Sequence, residues 1–413
     1  MKVLWLCNIM LPKIAKAMSR QSVNNGGWLT GLSEDLCTQK DIRLAIAFPG
    51  TKAMSEIAEN MKYYCFPKSK DAKAELSGIL KDFEPDVVHI FGTEYKHTYD
   101  MVNACRESDI GDKVIINIQG MAVVCGRHYF ANLPARAIRA YTLRDLLKGQ
   151  NISRAAKDFK KRGKYEIKAL QNVSHVAGRT DLDKAVTEQI NPNAQYHFCN
   201  ETLRGEFYKH RWSLENCEKN SIFVSQCGYP IKGFHLMLEA MPQILKRFPD
   251  AHIYTTGSSP MNTSLYGKLR QTYYFRYIAK LIKKYGLEDK VTFLGSLDEK
   301  QMCDRFLKSH VFVSASSIEN SPNSVGEAML LGVPTVSSDV GGVKNMLTHN
   351  EEGFVYPYDE PYMITHYVGR IFEDDALAEK FSENAKKHAE HTHNREINLQ
   401  TVLELYRKVG GEN

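Results

Sequence analysis

The stretch that decides the fold runs from Ser317 to Pro334 and has the sequence SIENSPNSVGEAMLLGVP. Pro322 suits the first position of a helix, and the serine before it can cap the free N–H groups there. The segment from Val325 to Leu331 predicts a short apolar helix. Gly332 suits the left-handed residue past a helix end, and Pro334 blocks continuation. We therefore predict a turn followed by a short helix.

Two glutamates flank the start of this predicted helix. Glu319 lies in the loop just ahead of it, and Glu327 lies one to two turns inside it. A helix N-terminus offers unpaired N–H donors and partial positive charge, which suit a phosphate group. Ionised carboxylates only accept hydrogen bonds, so they suit hydroxyl groups. Phosphate donors next to hydroxyl acceptors predict a site for a sugar nucleotide.

Outward from this stretch, short apolar runs rich in β-branched residues alternate with helical stretches. This alternation favours parallel sheets that helices cover on both faces. The predicted strands are Val3–Leu6, Leu44–Phe48, Val87–Phe91, Val114–Ile118 and Val173–Ala177 in the first half, and Ile222–Ser225, His252–Thr256, Val291–Leu294, Val311–Ala315 and Pro334–Ser337 in the second. The predicted fold class is α/β, with two Rossmann-like, doubly wound domains.

The polar stretch around residues 200–220 predicts the boundary between these domains. We assign residues 1–205 to a first domain and 215–393 to a second, and expect a C-terminal helix at about 394–413 to pack back on the first. Ligands of such sheets bind at the carboxyl ends of the strands. We therefore expect the two domains to face each other across a central cleft that holds the ligand.

Composition narrows the class of protein. The 413 residues carry a net charge of +6, which is too mild for a protein that coats nucleic acid. Nine scattered cysteines form no C-x-x-C pair and predict free thiols in a reducing compartment. No apolar run reaches the roughly 18 residues that a membrane span needs. The first apolar run predicts a buried strand rather than a signal peptide, because Asn8 interrupts it.

Two glycine-containing turns are candidates for phosphate contacts. Gly26 and Gly27 follow the first predicted strand and open a helix, where glycine lets the backbone approach a phosphate closely. A plain turn is the alternative. Lys232 and Gly233 take the corresponding place in the second domain. That lysine can meet a diphosphate, unless it is only a solvent-exposed side chain.

With these residues in place, a family resemblance is evident. Glu319 and Glu327 resemble the E-x7-E signature of retaining glycosyltransferases of the GT-B fold, family 4 type. Other stretches resemble the same family, namely Ser317–Gly342, Lys232-Gly233-Phe234, Val291–Gly295 and Pro85–His89. The resemblance implies a two-domain enzyme that transfers a sugar from a nucleotide donor.

The resemblance also implies a role for each matching residue. Glu319 would contact the hydroxyls of the donor sugar, Glu327 would bind the ribose diol, and Lys232 would neutralise the leaving diphosphate. Three further groups would hold the donor: Asn323, Ser324 and Val325 as donors to phosphate and sugar, Gly295, Ser296 and Leu297 as backbone contacts to the base, and Gly26 and Gly27 as a closure over the phosphates.

Two positions depart from the family pattern. Gln226, between a serine and a cysteine, occupies the place where family members usually carry an arginine, so one positive charge is missing from the donor site. Gln119 stands where many members carry a histidine; it can hydrogen-bond a sugar hydroxyl but cannot carry a proton. Arg179, Arg204 and His128 are candidate substitutes.

The expected mechanism follows from charge. Negative charge grows on the diphosphate as the glycosidic bond breaks, and preorganised donors there stabilise the transition state. Lys232 and a helix N-terminus can do this alone, so neither a metal nor a cofactor is expected. The resemblance implies retention of anomeric configuration through a front-face attack assisted by the leaving phosphate. A covalent nucleophile role for Glu319 is the alternative.

Basic segments bear on the acceptor. Residues 127–168 contain 12 Lys/Arg and 3 Asp/Glu together with aromatic and leucine side chains. Such a stretch suits an anionic membrane face or a lipid-phosphate-linked acceptor, and a solvated helix face is the alternative. The aromatic and basic stretch Tyr266–Lys284 is interpreted as a helix with a core-facing side, not as a nucleic-acid surface. His388, His391 and His393 are not predicted to bind a metal.

The sequence thus predicts a cytoplasmic hexosyltransferase, peripheral on the inner membrane face. It would move a sugar from a UDP-linked donor to a glycan or polyprenyl-phosphate-linked acceptor in capsule, exopolysaccharide or cell-envelope synthesis. The missing arginine and histidine leave a degenerate nucleotide-sugar sensor as an alternative, and an epimerase of the GT-B fold is another.

Overall fold

A computed structural model describes residues 1–17, 27–58, 61–68, 71–261 and 264–411. The strands in this part of the chain are β1 (Lys2–Leu6), β2 (Arg43–Gly50), β3 (Met54–Ala58), β4 (Met61–Pro67), β5 (Val87–Phe91), β6 (Val114–Asn117), β7 (His175–Gly178), β8 (Gln195–Phe198), β9 (Glu218–Val224), β10 (His252–Thr255), β11 (Val291–Phe293), β12 (Ser309–Ser314), β13 (Thr335–Ser338) and β14 (Phe354–Tyr356).

The α-helices of the same ranges are α1 (Pro12–Ala17), α2 (Gly27–Cys37), α3 (Lys73–Phe83), α4 (Lys96–Glu107), α5 (Ala122–His128), α6 (Ala135–Arg139), α7 (Leu143–Leu147), α8 (Ile152–Leu170), α9 (Asp181–Ile190), α10 (Phe234–Arg247), α11 (Leu265–Arg270), α12 (Tyr273–Tyr285), α13 (Glu299–Leu307), α14 (Asn323–Leu331), α15 (Pro361–Glu373), α16 (Asp375–Thr392) and α17 (Arg395–Gly410). Within these ranges, no helix is both long and apolar enough to cross a membrane.

The first compact unit comprises residues 1–123, 159–204 and 392–413. Its sheet has the strand order β3-β4-β2-β1-β5-β6-β7-β8. Neighbouring strands are parallel except for the edge pair β3 and β4. The order reverses at β1, from which β2 lies on one side and β5 on the other. This reversal is typical of a doubly wound fold, whose ligands bind at the carboxyl ends of the central strands.

The second unit comprises residues 124–158 and 205–391. Its sheet has the order β11-β10-β9-β12-β13-β14, and every neighbouring pair is parallel. Here the order reverses between β9 and β12, so the connections that leave these two strands start next to each other. The prediction of an α/β chain with two Rossmann-like domains is confirmed, whereas the cleft between them stays a prediction.

A buried hydrogen-bonded cluster ties the C-terminal helix into the first unit. The hydroxyl of Tyr406, on α17, accepts from Trp5 Nε1 at 2.8 Å and lies 2.8 Å from His89 Nδ1. All three side chains are almost completely buried. Burial lowers the pKa of His89 to about 3, so the ring is neutral and its Nδ1 can accept the tyrosine proton. One hydroxyl therefore satisfies two buried polar groups at once.

Removing that hydroxyl should destabilise the first unit. We expect Tyr406→Phe to lower the free energy of unfolding by about 1–3 kcal/mol, because it leaves buried polar nitrogen atoms on Trp5 and His89 without a partner. Chemical denaturation followed by fluorescence measures this loss. Tyr141→Phe is the control, since Tyr141 is 55% exposed. Equal stability of the two variants would contradict the role of the cluster.

All ten predicted strands are present, with ends shifted by a few residues, and the described residues form four more strands that were not predicted. The missed strands are β3, β4, β8 and β14, and each lies at the edge of a sheet or next to it. β8 is only partly buried along its length, so its sequence, QYHF, has no continuous apolar run. β4 and β14 are buried along most of their length, so lack of burial does not explain why they were missed. The other shift of note is at β9, which begins at Glu218 inside the stretch interpreted as a polar linker.

The placement of residues 124–158 differs from the predicted domain of residues 1–205. This segment groups with the second unit, and specific contacts hold it there. Thr142 Oγ1 donates to the Gln271 carbonyl at 2.9 Å, and the Tyr273 N–H donates to Asp145 Oδ2 at 2.9 Å. Because these contacts join residues about 130 positions apart, linker composition could not reveal them.

Candidate active site

Two connections of the second unit lie side by side at the carboxyl ends of β9 and β12. The first contains Lys232 and the second contains Glu319. The Ser317 N–H of the second connection donates to the Ile231 carbonyl of the first at 2.8 Å. The reversal of strand order at this point brings the two connections together, as expected for a binding site in a parallel sheet.

Gly233 permits this close approach. Its φ is +64°, in the left-handed region that favours glycine. A Cβ at this position would lie 1.7 Å from the carbonyl oxygen of Ala315. Any larger residue would therefore push the two connections apart. Lys232, which directly precedes Gly233, would move with its connection.

Lys232 and Glu319 form an ion pair. The lysine Nζ lies 2.5 Å from Glu319 Oε1, and the side chains are 21% and 14% exposed. Ser316 Oγ donates to the same carboxylate oxygen at 2.7 Å. Burial alone would lower the pKa of Lys232, but the negative charge of Glu319 outweighs it and raises that pKa above its usual range. The lysine therefore stays cationic near neutral pH and can stabilise an anionic leaving group.

The start of α14 carries no side-chain cap. The helix begins at Asn323, so the prediction that Pro322 is its first residue was wrong by one position. Pro322 is the N-cap residue, with extended backbone angles and no capping hydrogen bond. Ser321, predicted to be the cap, instead directs its hydroxyl at the Met346 sulfur at 3.3 Å. A helix start without a side-chain cap can bind an anion through its first N–H groups.

The residues predicted to hold the donor on α14 differ in accessibility. Asn323 and Ser324 are half-buried in the first turn. Val325 is fully buried, and its N–H donates to the Pro322 carbonyl at 2.9 Å, so its side chain packs in the core and its backbone donor is already used. Glu327 follows Asn323 by one turn on the same helix face and is 5% exposed. Its contact with a ribose stays a prediction.

The residues predicted to contact the base, Gly295, Ser296 and Leu297, follow β11, and Gln226, predicted to lie in the donor site, follows β9. Gln226 is exposed in the turn after β9, and Leu297 is half-buried. Gly295 pairs with Gly257, which follows β10: the Gly257 N–H donates to the Gly295 carbonyl at 2.8 Å, and the reverse bond is 3.2 Å. The N–H of Gly295 is thus engaged within the protein, and the two bonds join the ends of β10 and β11.

The predicted residues of the first unit fall in two places. Gly26 lies outside the described residues, and Gly27 is the first residue of α2. Gln119 follows β6, and its Nε2 donates to Asn117 Oδ1 at 2.6 Å and to Glu201 Oε1 at 2.5 Å. These two bonds occupy its amide protons, so any contact of Gln119 with a sugar hydroxyl would have to use its carbonyl oxygen.

The candidate substitutes for the missing arginine and histidine behave differently. Arg179 is 5% exposed and its Nη1 lies 2.9 Å from Glu201 Oε1, which commits it to a buried ion pair of the first unit. The carbonyl of His128 accepts from Ser317 Oγ at 2.9 Å, two residues before Glu319. Burial, and to a smaller extent Arg127, lower the pKa of His128, so it is a neutral histidine next to the Glu319 loop.

Sequence reasoning missed Glu94 in the first unit. This residue lies three positions after the end of β5, and its carboxylate accepts from the Gly120 N–H at 3.2 Å and from Asn8 Nδ2 at 3.4 Å. Burial raises the pKa of the Glu94 carboxyl to about 7. A signal was available, because an acidic residue within a few positions of the end of a buried parallel strand lies at the edge where such sheets bind ligands.

The chain is similar to known glycosyltransferases over part of its length. Residues 207–388 match the family model described as glycosyl transferases group 1. These residues therefore resemble a group 1 glycosyltransferase domain, and the chain has a GT-B fold. The putative glycosyltransferase YtcC of Bacillus subtilis is 28% identical over 185 residues, which are 44% of this chain and 43% of that protein. The uncharacterized glycosyltransferase MJ1607 of Methanocaldococcus jannaschii is 31% identical over 175 residues, 42% of this chain and 41% of that one.

Solved structures show the same fold along the chain. Sucrose-phosphate synthase from Thermosynechococcus elongatus has a TM-score of 0.70 at 15% identity and covers 100% of both chains. HepE from Anabaena in complex with UDP has a TM-score of 0.68 at 15% identity, covering 99% of this chain and 100% of that one. The predicted GT-B glycosyltransferase resemblance is thereby confirmed. The match spans less than half of each curated relative, and the retaining, family 4 type stays a prediction.

Proposed function

We propose that this glycosyltransferase is a retaining enzyme that moves a sugar from a UDP-linked donor to a glycan or polyprenyl-phosphate-linked acceptor. The observation that carries the proposal is the Lys232–Glu319 pair at 2.5 Å, next to the start of α14, which has no side-chain cap. The pair offers a cation for the diphosphate and a carboxylate for sugar hydroxyls. HepE, which shares the fold, has been solved with UDP and with UDP-glucose.

The proposed chemistry needs only groups of the chain. Lys232 and the first N–H groups of α14 stabilise the charge that grows on the diphosphate, so we propose that transfer uses neither a metal nor a cofactor. Glu319 orients the donor sugar and keeps Lys232 in place. The acceptor hydroxyl attacks from the face that the diphosphate leaves and passes its proton to the leaving phosphate oxygen as the sugar–phosphate bond breaks, which retains the anomeric configuration.

Donor turnover and product configuration test this proposal. Incubating the protein with separate UDP- and GDP-sugars should release nucleotide from one UDP-sugar, and NMR of the glycosyl product should show the anomer of the donor. Binding of the donor without any turnover would support the sensor instead. A change of sugar configuration with no nucleotide release would support the epimerase. An inverted product would overturn the retaining mechanism.

An exposed apolar patch supports a peripheral membrane location. It consists of Tyr141, Leu143, Leu146 and Leu147 on and beside α7, each at least 54% exposed. Exposed arginines at positions 136 and 139 flank it. Leucines next to cations suit the interface of an anionic bilayer. We propose that this patch holds the enzyme on the inner membrane face during capsule, exopolysaccharide or cell-envelope synthesis.

Charge placed in this patch should release the protein from membranes. We expect wild type to sediment with phosphatidylglycerol vesicles. The affinity of Leu146→Glu/Leu147→Glu for these vesicles should fall by a factor of about ten, because two apolar side chains no longer bury in the bilayer interface. Ile397→Glu, which alters an apolar side chain 49% exposed on α17, is the control and should bind like wild type. Unchanged sedimentation of the double variant would refute this membrane contact.

A further inference from the structure

The second unit contains a pocket of about 580 Å³ that none of the roles above uses. This volume lies in the range of small-molecule sites, roughly 300–1,000 Å³. Its walls come from the segment between α7 and α8, from the turn that follows β9, and from the start of α12. All of these belong to the same compact unit.

One side of the pocket is aromatic. Tyr129 and Tyr274 are buried there, whereas Tyr229 is 38% exposed and Tyr273 is half-buried, so the last two retain accessible ring surface. Tyrosine combines a broad apolar face with a polar hydroxyl. That combination suits a sugar, whose ring has an apolar C–H face and a rim of hydroxyl groups.

A buried aspartate fixes the polar part of the pocket. Asp145 Oδ2 accepts from the Tyr273 N–H at 2.9 Å and from the Thr142 N–H at 3.0 Å. Its side chain is 1% exposed and lies 3.5 Å from Arg144 Nη1. These bonds join α7 to the start of α12, so the two walls are held in a preformed arrangement.

Two cations on the rim have no carboxylate partner. Neither Lys148 nor Arg154 lies within 4 Å of a carboxylate of any residue that the structure describes, although other lysines and arginines of the chain form such pairs. Gly149 stands between them with a φ of +62°, and a Cβ there would lie 3.0 Å from Arg154 Nη1. The glycine therefore lets the guanidinium lie across the backbone at the pocket. Two unpaired cations on one rim favour an anionic ligand.

The pocket adjoins the proposed reaction site. Tyr229 lines the pocket, and the centroid of its ring lies 6.0 Å from Lys232 Nζ. A sugar held against Tyr229 would therefore lie close to the cation that meets the leaving diphosphate. This position suits the acceptor rather than a ligand that acts elsewhere.

We propose that this pocket binds the acceptor, and that the acceptor is a glycan that carries a phosphate or a carboxylate. The sugar ring packs on Tyr229 and Tyr273, and the anionic group binds Lys148 and Arg154. The inference rests on the proposed transferase function, because it names the second substrate of the same site.

Calorimetric titration of the full chain tests the inference directly. The probes are hexagalacturonate as a carboxylated glycan, glucose 1-phosphate as a phosphorylated sugar, and maltohexaose as a neutral glycan, each added after UDP. We expect at least one anionic probe to bind at least tenfold more tightly than maltohexaose. The anion that binds identifies the source of the charge. Lys148→Ala/Arg154→Ala should bind this probe at least tenfold more weakly than wild type, and Tyr273→Ala should also bind it more weakly.

A matched variant separates a specific site from general charge. Lys157→Ala/Lys160→Ala removes the same two charges from exposed positions that do not line the pocket and should bind the probes like wild type. UDP affinity should be equal in all variants, which also reports that they are folded. The inference would be overturned if neutral and anionic probes bound equally well, or if no probe bound while UDP did. It would also be overturned if both double variants lost the same amount of probe affinity. Failure of wild type to bind UDP would instead overturn the proposed function.

Discussion

Replacing Lys232 with alanine should lower the rate of sugar transfer by about 100- to 1,000-fold, because a preorganised group that stabilises developing charge contributes a factor of this size. Glu319→Ala should lower the rate to a similar extent. It removes the carboxylate that faces the donor sugar, and it also frees the lysine to move, since Ser316 and Lys232 both bond to that carboxylate. Nucleotide release under saturating donor measures both effects.

A surface ion pair of the same unit supplies the control. Lys344 Nζ lies 2.6 Å from Asp339, and these side chains are 68% and 38% exposed. Lys344→Ala should retain the wild-type rate, because an exposed ion pair contributes little to stability and takes no part in transfer. Circular dichroism should show that all three variants are folded. Near-normal turnover in both Lys232→Ala and Glu319→Ala would refute the proposed site.

Replacing Gly233 with alanine should damage both the fold and the site. The left-handed backbone costs a Cβ-bearing residue about 1–2 kcal/mol, and overlap with the Ala315 carbonyl adds a packing cost of roughly 1–3 kcal/mol. Relief of that overlap requires the β9 and β12 connections to separate, which moves Lys232 away from Glu319. We therefore expect a lower unfolding midpoint and loss of most transfer activity in the folded fraction.

Gly286→Ala isolates the backbone part of this effect. Gly286 follows the last residue of α12 with a φ of +63°, and a Cβ at that position would have no heavy atom of the described residues within 4 Å apart from its chain neighbours. This variant should lose about 1–2 kcal/mol of stability and keep its activity. If Gly233→Ala were no less stable than Gly286→Ala and equally active, the close approach at Ala315 would not matter to the site.

The sequence predicted the parts of the site that lie in local motifs. Lys232 precedes a glycine in a strand-to-helix turn, and Glu319 stands ahead of a helix that Gly332 ends, so neighbouring residues alone indicate their places. The start of α14 was wrong by one residue, because both Ser321 and Pro322 are acceptable at a helix N-terminus and only the extended backbone at Pro322 decides between them.

Long-range contacts explain what the sequence could not predict. Residues 124–158 join the second unit through hydrogen bonds such as that between Asp145 and Tyr273, and no local pattern encodes such a pairing. The pocket lined by Tyr229 could not be predicted from the sequence for the same reason, since its walls come from separate stretches of the chain. Glu94 differs from these cases, because its position three residues after β5 can be recognised in the sequence.

Titration of UDP tests the central claim, that the Lys232 and Glu319 connections with the start of α14 form a sugar-nucleotide site. Calorimetry on wild type should give saturable binding of one UDP per chain, and a saturating excess should raise the unfolding temperature. Lys232→Ala should bind UDP at least tenfold more weakly than Lys344→Ala does. Absence of UDP binding by wild type, or equal UDP affinity of these two variants, would contradict the account.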